Sequence, residues 1–85
     1  MTTQYVEEYL NYKLSQNENE IIYTFYELRV KENLSEEDVD EFLRLSKIRL
    51  ENLNYQVYFT GAKFRFANIN RVVKENQLMV AIKEK

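Results

Sequence analysis

The chain of 85 residues contains no cysteine, histidine, proline or tryptophan, and its single glycine is Gly61. Without cysteine and histidine there is no disulfide, thiolate nucleophile, imidazole base or zinc site of the usual ligand types. The redox compartment stays open on the same ground. A lone glycine excludes a Walker loop and the ordinary dinucleotide fingerprint, which need several glycines where backbone approaches phosphate. No apolar run approaches the roughly 18 residues of a membrane span. Met1-Thr2-Thr3-Gln4 lacks the basic start of a secretory signal, and Glu7 and Glu8 interrupt the next segment. The expectation is a cytoplasmic protein with no membrane association and no cofactor. The abundance of Asn, Lys, Ile, Tyr and Glu suits an AT-rich genome, bacterial or phage.

A chain this short buries only about two-thirds of the surface its unfolded form exposes, so residues 1–85 are expected to form one domain around one small core. The net charge of −2 conceals an asymmetry: residues 1–42 carry three cations against eleven anions, and residues 43–85 carry nine cations against three anions. Such a split suits either a basic surface for an acidic partner or two halves that attract each other on folding.

The strongest local signal is Tyr55–Ala67. With Gly61-Ala62 as a two-residue turn, Thr60 faces Lys63, Phe59 faces Phe64, Tyr58 faces Arg65 and Val57 faces Phe66. Val57, Phe59, Phe64 and Phe66 then share an apolar face, while Gln56, Tyr58, Thr60, Lys63 and Arg65 share a polar one. After a bend at Asn68–Asn70, a second hairpin is expected with Glu75-Asn76 as its turn. Its last strand, residues 77–82, alternates Leu78, Val80 and Ile82 with Met79 and Ala81, the pattern of a central strand apolar on both sides.

Ahead of the hairpins the periodicity is helical. Residues 3–14 place Val6, Leu10 and Leu14 on one side and Tyr5, Tyr9 and Tyr12 on an adjacent stripe. Ser15 with Glu18, or Asn17 with Glu20, resembles a helix start, and on that signal residues 21–33 are assigned to a helix ending near Asn33. The β-branched and aromatic content of Ile21–Val30 also fits a strand. Ser35 as cap, Asp38 as the box acid and a staple of Leu34 on Val39 begin a long helix running to about Leu53, with Asn54 as a left-handed cap. The expected architecture is α+β: two or three helices, first in the chain, packed on one face of a small antiparallel β-meander, with β-hairpins C-terminal. Its expected core is Phe25, Leu28, Val39, Phe42, Leu43, Leu50, Leu53, Val57, Phe59, Phe64, Phe66, Val80 and Ile82.

No arrangement points to catalysis or to a bound metal. The carboxylates of Glu36, Glu37, Asp38, Asp40 and Glu41 are consecutive or nearly so, and they fan around a helix instead of converging on one point. Ser15, Ser35 and Ser46 have no imidazole partner. The expectation is a non-enzymatic binding module. Nucleic acid is its first expected partner, through Arg44, Lys47 and Arg49 on the long helix with Tyr58, Lys63, Arg65, Arg71 and Lys74 on the sheet. The alternative is a protein-binding adaptor or inhibitor, acting through Tyr5, Tyr9, Tyr12, Glu36, Glu37 and Asp40. A homodimer joined by apolar helix faces is a third possibility.

Overall fold

In a computed structural model, residues 2–59 and 77–83 are described. Their order is helix α1 (Thr3–Gln16), strand β1 (Glu20–Thr24), a π-helix (Tyr26–Lys31), helix α2 (Glu36–Asn52), strand β2 (Tyr55–Phe59) and strand β3 (Gln77–Lys83). The three strands are antiparallel in the order β1-β3-β2. This is the expected small α+β fold, with β3 central as its two-sided apolar pattern implied.

Both long helices begin on side-chain caps. The Thr2 hydroxyl accepts from the Tyr5 N–H, and the Ser35 hydroxyl accepts from the Asp38 N–H, each at 3.1 Å. Each cap satisfies a backbone donor that has no partner inside the helix. Helix α2 ends where expected, with Asn54 in the left-handed region at φ 69°.

The segment after α1 departs from the expected helix. Asn17 does not cap a new helix, because its side-chain oxygen accepts from the Asn19 N–H, two residues on, and folds the chain into a turn. Residues 20–24 then extend as β1 against β3, where the β-branched Ile21 and Ile22 fit a pleated surface. Helical winding begins only after β1, in the π-helix Tyr26–Lys31, and it stops two residues short of Asn33, which is left-handed at φ 55°.

Register decides which residues meet the helices. Ile21 and Tyr23 on β1, Met79 and Ala81 on β3, and Tyr55 and Phe59 on β2 are buried on one face of the sheet. They join Val6 and Leu10 of α1, Leu28 of the π-helix, and Val39, Phe42, Leu43 and Leu50 of α2 in a single core. Val80 is also buried, but alternation along β3 places it on the opposite face.

Several expected core positions are corrected. Phe25 is 51% exposed and Leu53 is 43% exposed. Phe25 precedes the π-helix and turns outward because Leu28 supplies its buried contact, and Leu53 lies beyond the last turn of α2. Val57 is half-buried and packs against the core as expected, whereas Ile82, also half-buried, alternates to the opposite face. Phe64, Phe66, the Gly61-Ala62 turn, the Asn68–Asn70 bend and the Glu75-Asn76 turn lie outside the described residues. Two core hydroxyls, on Tyr23 and Ser46, are buried without a partner at hydrogen-bond geometry among the described residues.

Phe59 and Phe25 give opposite forecasts. Phe59→Ala should destabilise the fold by about 3–5 kcal/mol, the usual cost of emptying a buried phenylalanine site, whereas Phe25→Ala should change stability by less than about 0.5 kcal/mol. Urea denaturation of both variants checks the pair, and equal losses would contradict the placement of these rings.

Candidate functional site

Among the described residues, the most connected polar group outside the secondary-structure ladders is the Glu27 carboxylate. Thr24-Phe25-Tyr26-Glu27 has the spacing of a capping box, and the structure closes it: the Thr24 hydroxyl accepts from the Glu27 N–H at 3.1 Å, and Glu27 Oε1 accepts from the Thr24 N–H at 3.3 Å. The box therefore ends β1 and starts the π-helix in one step. Glu27 Oε2 accepts from the Tyr9 hydroxyl and from Lys13 Nζ, the latter at 2.8 Å. The same ammonium lies 5.6 Å from the centroid of the Tyr23 ring.

Winding in the next segment is set by the Glu32 N–H, which donates five residues back to the Glu27 carbonyl at 2.9 Å. Leu28 is fully buried beneath it. The outer side is apolar: Tyr26 is 62% and Val30 56% exposed, one turn apart, with Phe25 beside them. The Arg29 guanidinium lies 5.8 Å from the centre of the Phe25 ring, and its nearest carboxylate, on the exposed Glu36, is 3.7 Å away. Lys31 is exposed and makes no ion pair among the described residues. Two aromatic rings and a valine are thus exposed on a segment that also carries Arg29 and Lys31, with its backbone held from below.

The tyrosine stripe of α1 is used inward. Tyr5 and Tyr9 set their rings edge-on to Phe42, and Tyr23 completes the cluster at 5.1 Å from Phe42 with an interplanar angle of 85°. The Tyr5 hydroxyl donates to Glu32 as Tyr9 does to Glu27, so both bind the helix to the π-helix. Tyr12 alone of the three is well exposed, at 58%. Glu36 and Glu37 are exposed on the first turn of α2, and Asp40 is half-buried with a partner inside the fold.

The expected basic surface is divided. Arg44, Lys47 and Arg49 lie on α2, which covers the core face of the sheet, whereas Tyr58 lies on the other face between Val57 and Phe59. Lys47 is paired with Glu51 at 2.9 Å, and Arg49 with Glu7 of α1 at 3.0 Å. Arg44 is exposed. Lys63, Arg65, Arg71 and Lys74 lie outside the described residues. Among the described residues no group of acidic side chains is arranged to hold a metal, and no helix is long and apolar enough to cross a membrane.

The sequence contained the signal for the π-helix in its Thr-x-x-Glu spacing, although two competing signals at Ser15 and Asn17 stood earlier in the chain. Exposure of Phe25, Tyr26 and Val30 had no local signature, since the same residues suit a buried strand. In comparisons with known proteins, the chain matches no family model, no curated protein and no solved structure.

Burial, and then the neighbouring carboxylates Glu32 and Glu27, push the Tyr5 and Tyr9 hydroxyls above their ordinary pKa of 10.0. Burial also raises Tyr23, against a smaller lowering from the nearby Ser46 hydroxyl, and it raises Tyr55, with Glu18 adding to the effect. Folded protein therefore keeps protons that the unfolded chain releases above about pH 10, so stability is full below that pH and falls as pH rises past it. The urea midpoint should drop between about pH 8 and about pH 11, and Tyr5→Phe with Tyr9→Phe should flatten that drop. An unchanged midpoint would contradict these placements.

Proposed function

We propose that the protein is a non-enzymatic binding module whose partner is another protein, engaged by the outer side of the π-helix. The observation that carries this reading is the exposure of Phe25, Tyr26 and Val30 on a segment whose backbone is fixed by Glu27, Glu32 and Leu28. Fully burying side chains of this size contributes roughly 1.5–3 kcal/mol each. A surface already rigid loses little further entropy on binding, so more of that gain is kept as affinity. Arg29 beside the Phe25 ring, with exposed Lys31 on the same segment, favours a partner with carboxylates around an apolar pocket.

The nucleic-acid reading has weaker support among the described residues. Two of the three cations on α2 are engaged by carboxylates, and Tyr58 lies on the other side of the sheet. A phosphate-tracking surface needs cations and stacking rings on one face.

The test combines two measurements on the full chain. Titration with labelled duplex and single-stranded DNA near physiological ionic strength should show no saturable binding. Affinity capture from a lysate of the source cells should recover a stoichiometric protein with the wild type and lose it with Tyr26→Ser and Val30→Ser, a double variant of unchanged melting temperature. Saturable DNA binding that weakens linearly in log affinity with log salt would overturn the reading, as would capture unaffected by the double variant.

A further inference from the structure

Beside the π-helix the fold leaves a second feature, an open cleft of about 340 Å³ along the outer edge of β1. Tyr12 and Lys13 of α1, Glu20 and Ile22 of β1, and Glu27 and Lys31 of the π-helix are among the residues that line it. Sheet order makes β1 an edge strand among the described residues, with β3 on one side only.

The direction of its backbone groups is fixed by one hydrogen bond. The Lys83 N–H donates to the Asn19 carbonyl at 3.0 Å, so Asn19–Lys83 is a hydrogen-bonded pair. Alternation along an antiparallel ladder then makes Ile21–Ala81 and Tyr23–Met79 the next such pairs. Glu20, Ile22 and Thr24 consequently turn their N–H and C=O groups away from β3. The fold closes this edge at Thr24, whose outward N–H is taken by Glu27. At Ile22 it does not: the outward N–H and C=O have no partner among the described residues, and Ile22 is one of the residues that line the cleft.

Charges in the cleft are unevenly satisfied. Lys13 and Glu27 neutralise one another at 2.8 Å, and Glu20 is not without a partner. Lys31 remains. An occupant that satisfies everything left over has a main-chain donor and acceptor to meet Ile22 and a carboxylate to meet Lys31.

We infer that the outer edge of β1 takes an extended acidic segment of the protein partner, which adds to the sheet as a further strand at Ile22. Strand addition gives main-chain hydrogen bonds that any extended peptide can supply, while neighbouring side chains set the preference. Here the preference comes from Lys31 for a carboxylate and from Tyr12 for an apolar side chain on the α1 side. The inference rests on the protein-partner reading and adds the conformation and charge of what is bound.

The test uses a displayed library of short random linear peptides selected on the full-length protein, followed by amide hydrogen exchange with the best enriched synthetic peptide. The expected result is enrichment of peptides containing Asp or Glu and slowing of Ile22 N–H exchange by about tenfold or more at saturation. Ile22→Pro removes that donor without removing a hydrogen bond of the fold. It should weaken binding by about tenfold, and Lys31→Glu should weaken it similarly. If the proline variant fails to fold, exchange at Ile22 and the Lys31→Glu titration still decide the matter.

No enrichment, unchanged exchange at Ile22, or full binding by a folded Ile22→Pro variant would overturn the inference. Protection of Ile22 that rises with protein concentration in the absence of peptide would also overturn it, by making a second copy of the chain the occupant. Capture lost in the Tyr26→Ser, Val30→Ser double variant but retained in Ile22→Pro would leave the protein-partner reading standing and remove strand addition alone.

Discussion

One carboxylate holds three elements of this small fold in relation to each other. Glu27 receives the Thr24 N–H where β1 ends, the Tyr9 hydroxyl from the middle of α1 and the Lys13 ammonium from its last turn. Hydrogen bonds to a charged acceptor are the stronger kind, and this one is shielded, with the Glu27 side chain only 14% exposed. Without it the outward N–H at Thr24 has no acceptor, and α1 loses two of its polar contacts to the rest of the chain.

The aromatic cluster works on the same joint. Tyr9 and Tyr23 approach Phe42 edge-on from α1 and β1, so the ring packing that builds the core also aims the Tyr9 hydroxyl at Glu27. Tyr5 repeats the arrangement one turn earlier with Glu32 at the far end of the π-helix. The π-helix is thereby gripped at both ends by hydroxyls and in the middle by Leu28. What it shows to water is Phe25, Tyr26 and Val30.

Legibility in the sequence tracks the range of the interaction. The caps at Ser35 and Asn54 and the two-sided burial of Met79, Val80 and Ala81 are readable because each depends on neighbours in the chain or on strict alternation. Residues 20–24 read as helix because Asn17 offers the same side-chain oxygen to a helix cap and to a turn, and only the presence of β3 as a pairing partner decides between them. The inward use of the tyrosine hydroxyls depends on carboxylates 18 and 27 residues away, for which no local pattern exists. For the site, the tyrosine stripe is legible but not the exposure of Tyr12 alone, Phe25 suits the core by type, and nothing local shows that Leu28 fills the buried position of the π-helix.

The central physical claim is that Tyr9 and Glu27 are energetically coupled across α1 and the π-helix. A double-mutant cycle of Tyr9→Phe and Glu27→Gln, followed by urea denaturation, measures that coupling directly. Contacting residues in a shared hydrogen-bond network show interaction energies of about 0.5–3 kcal/mol, and this pair is expected in the upper half of that range. Strictly additive losses would contradict the claim, leaving the π-helix held by Leu28 and the core alone.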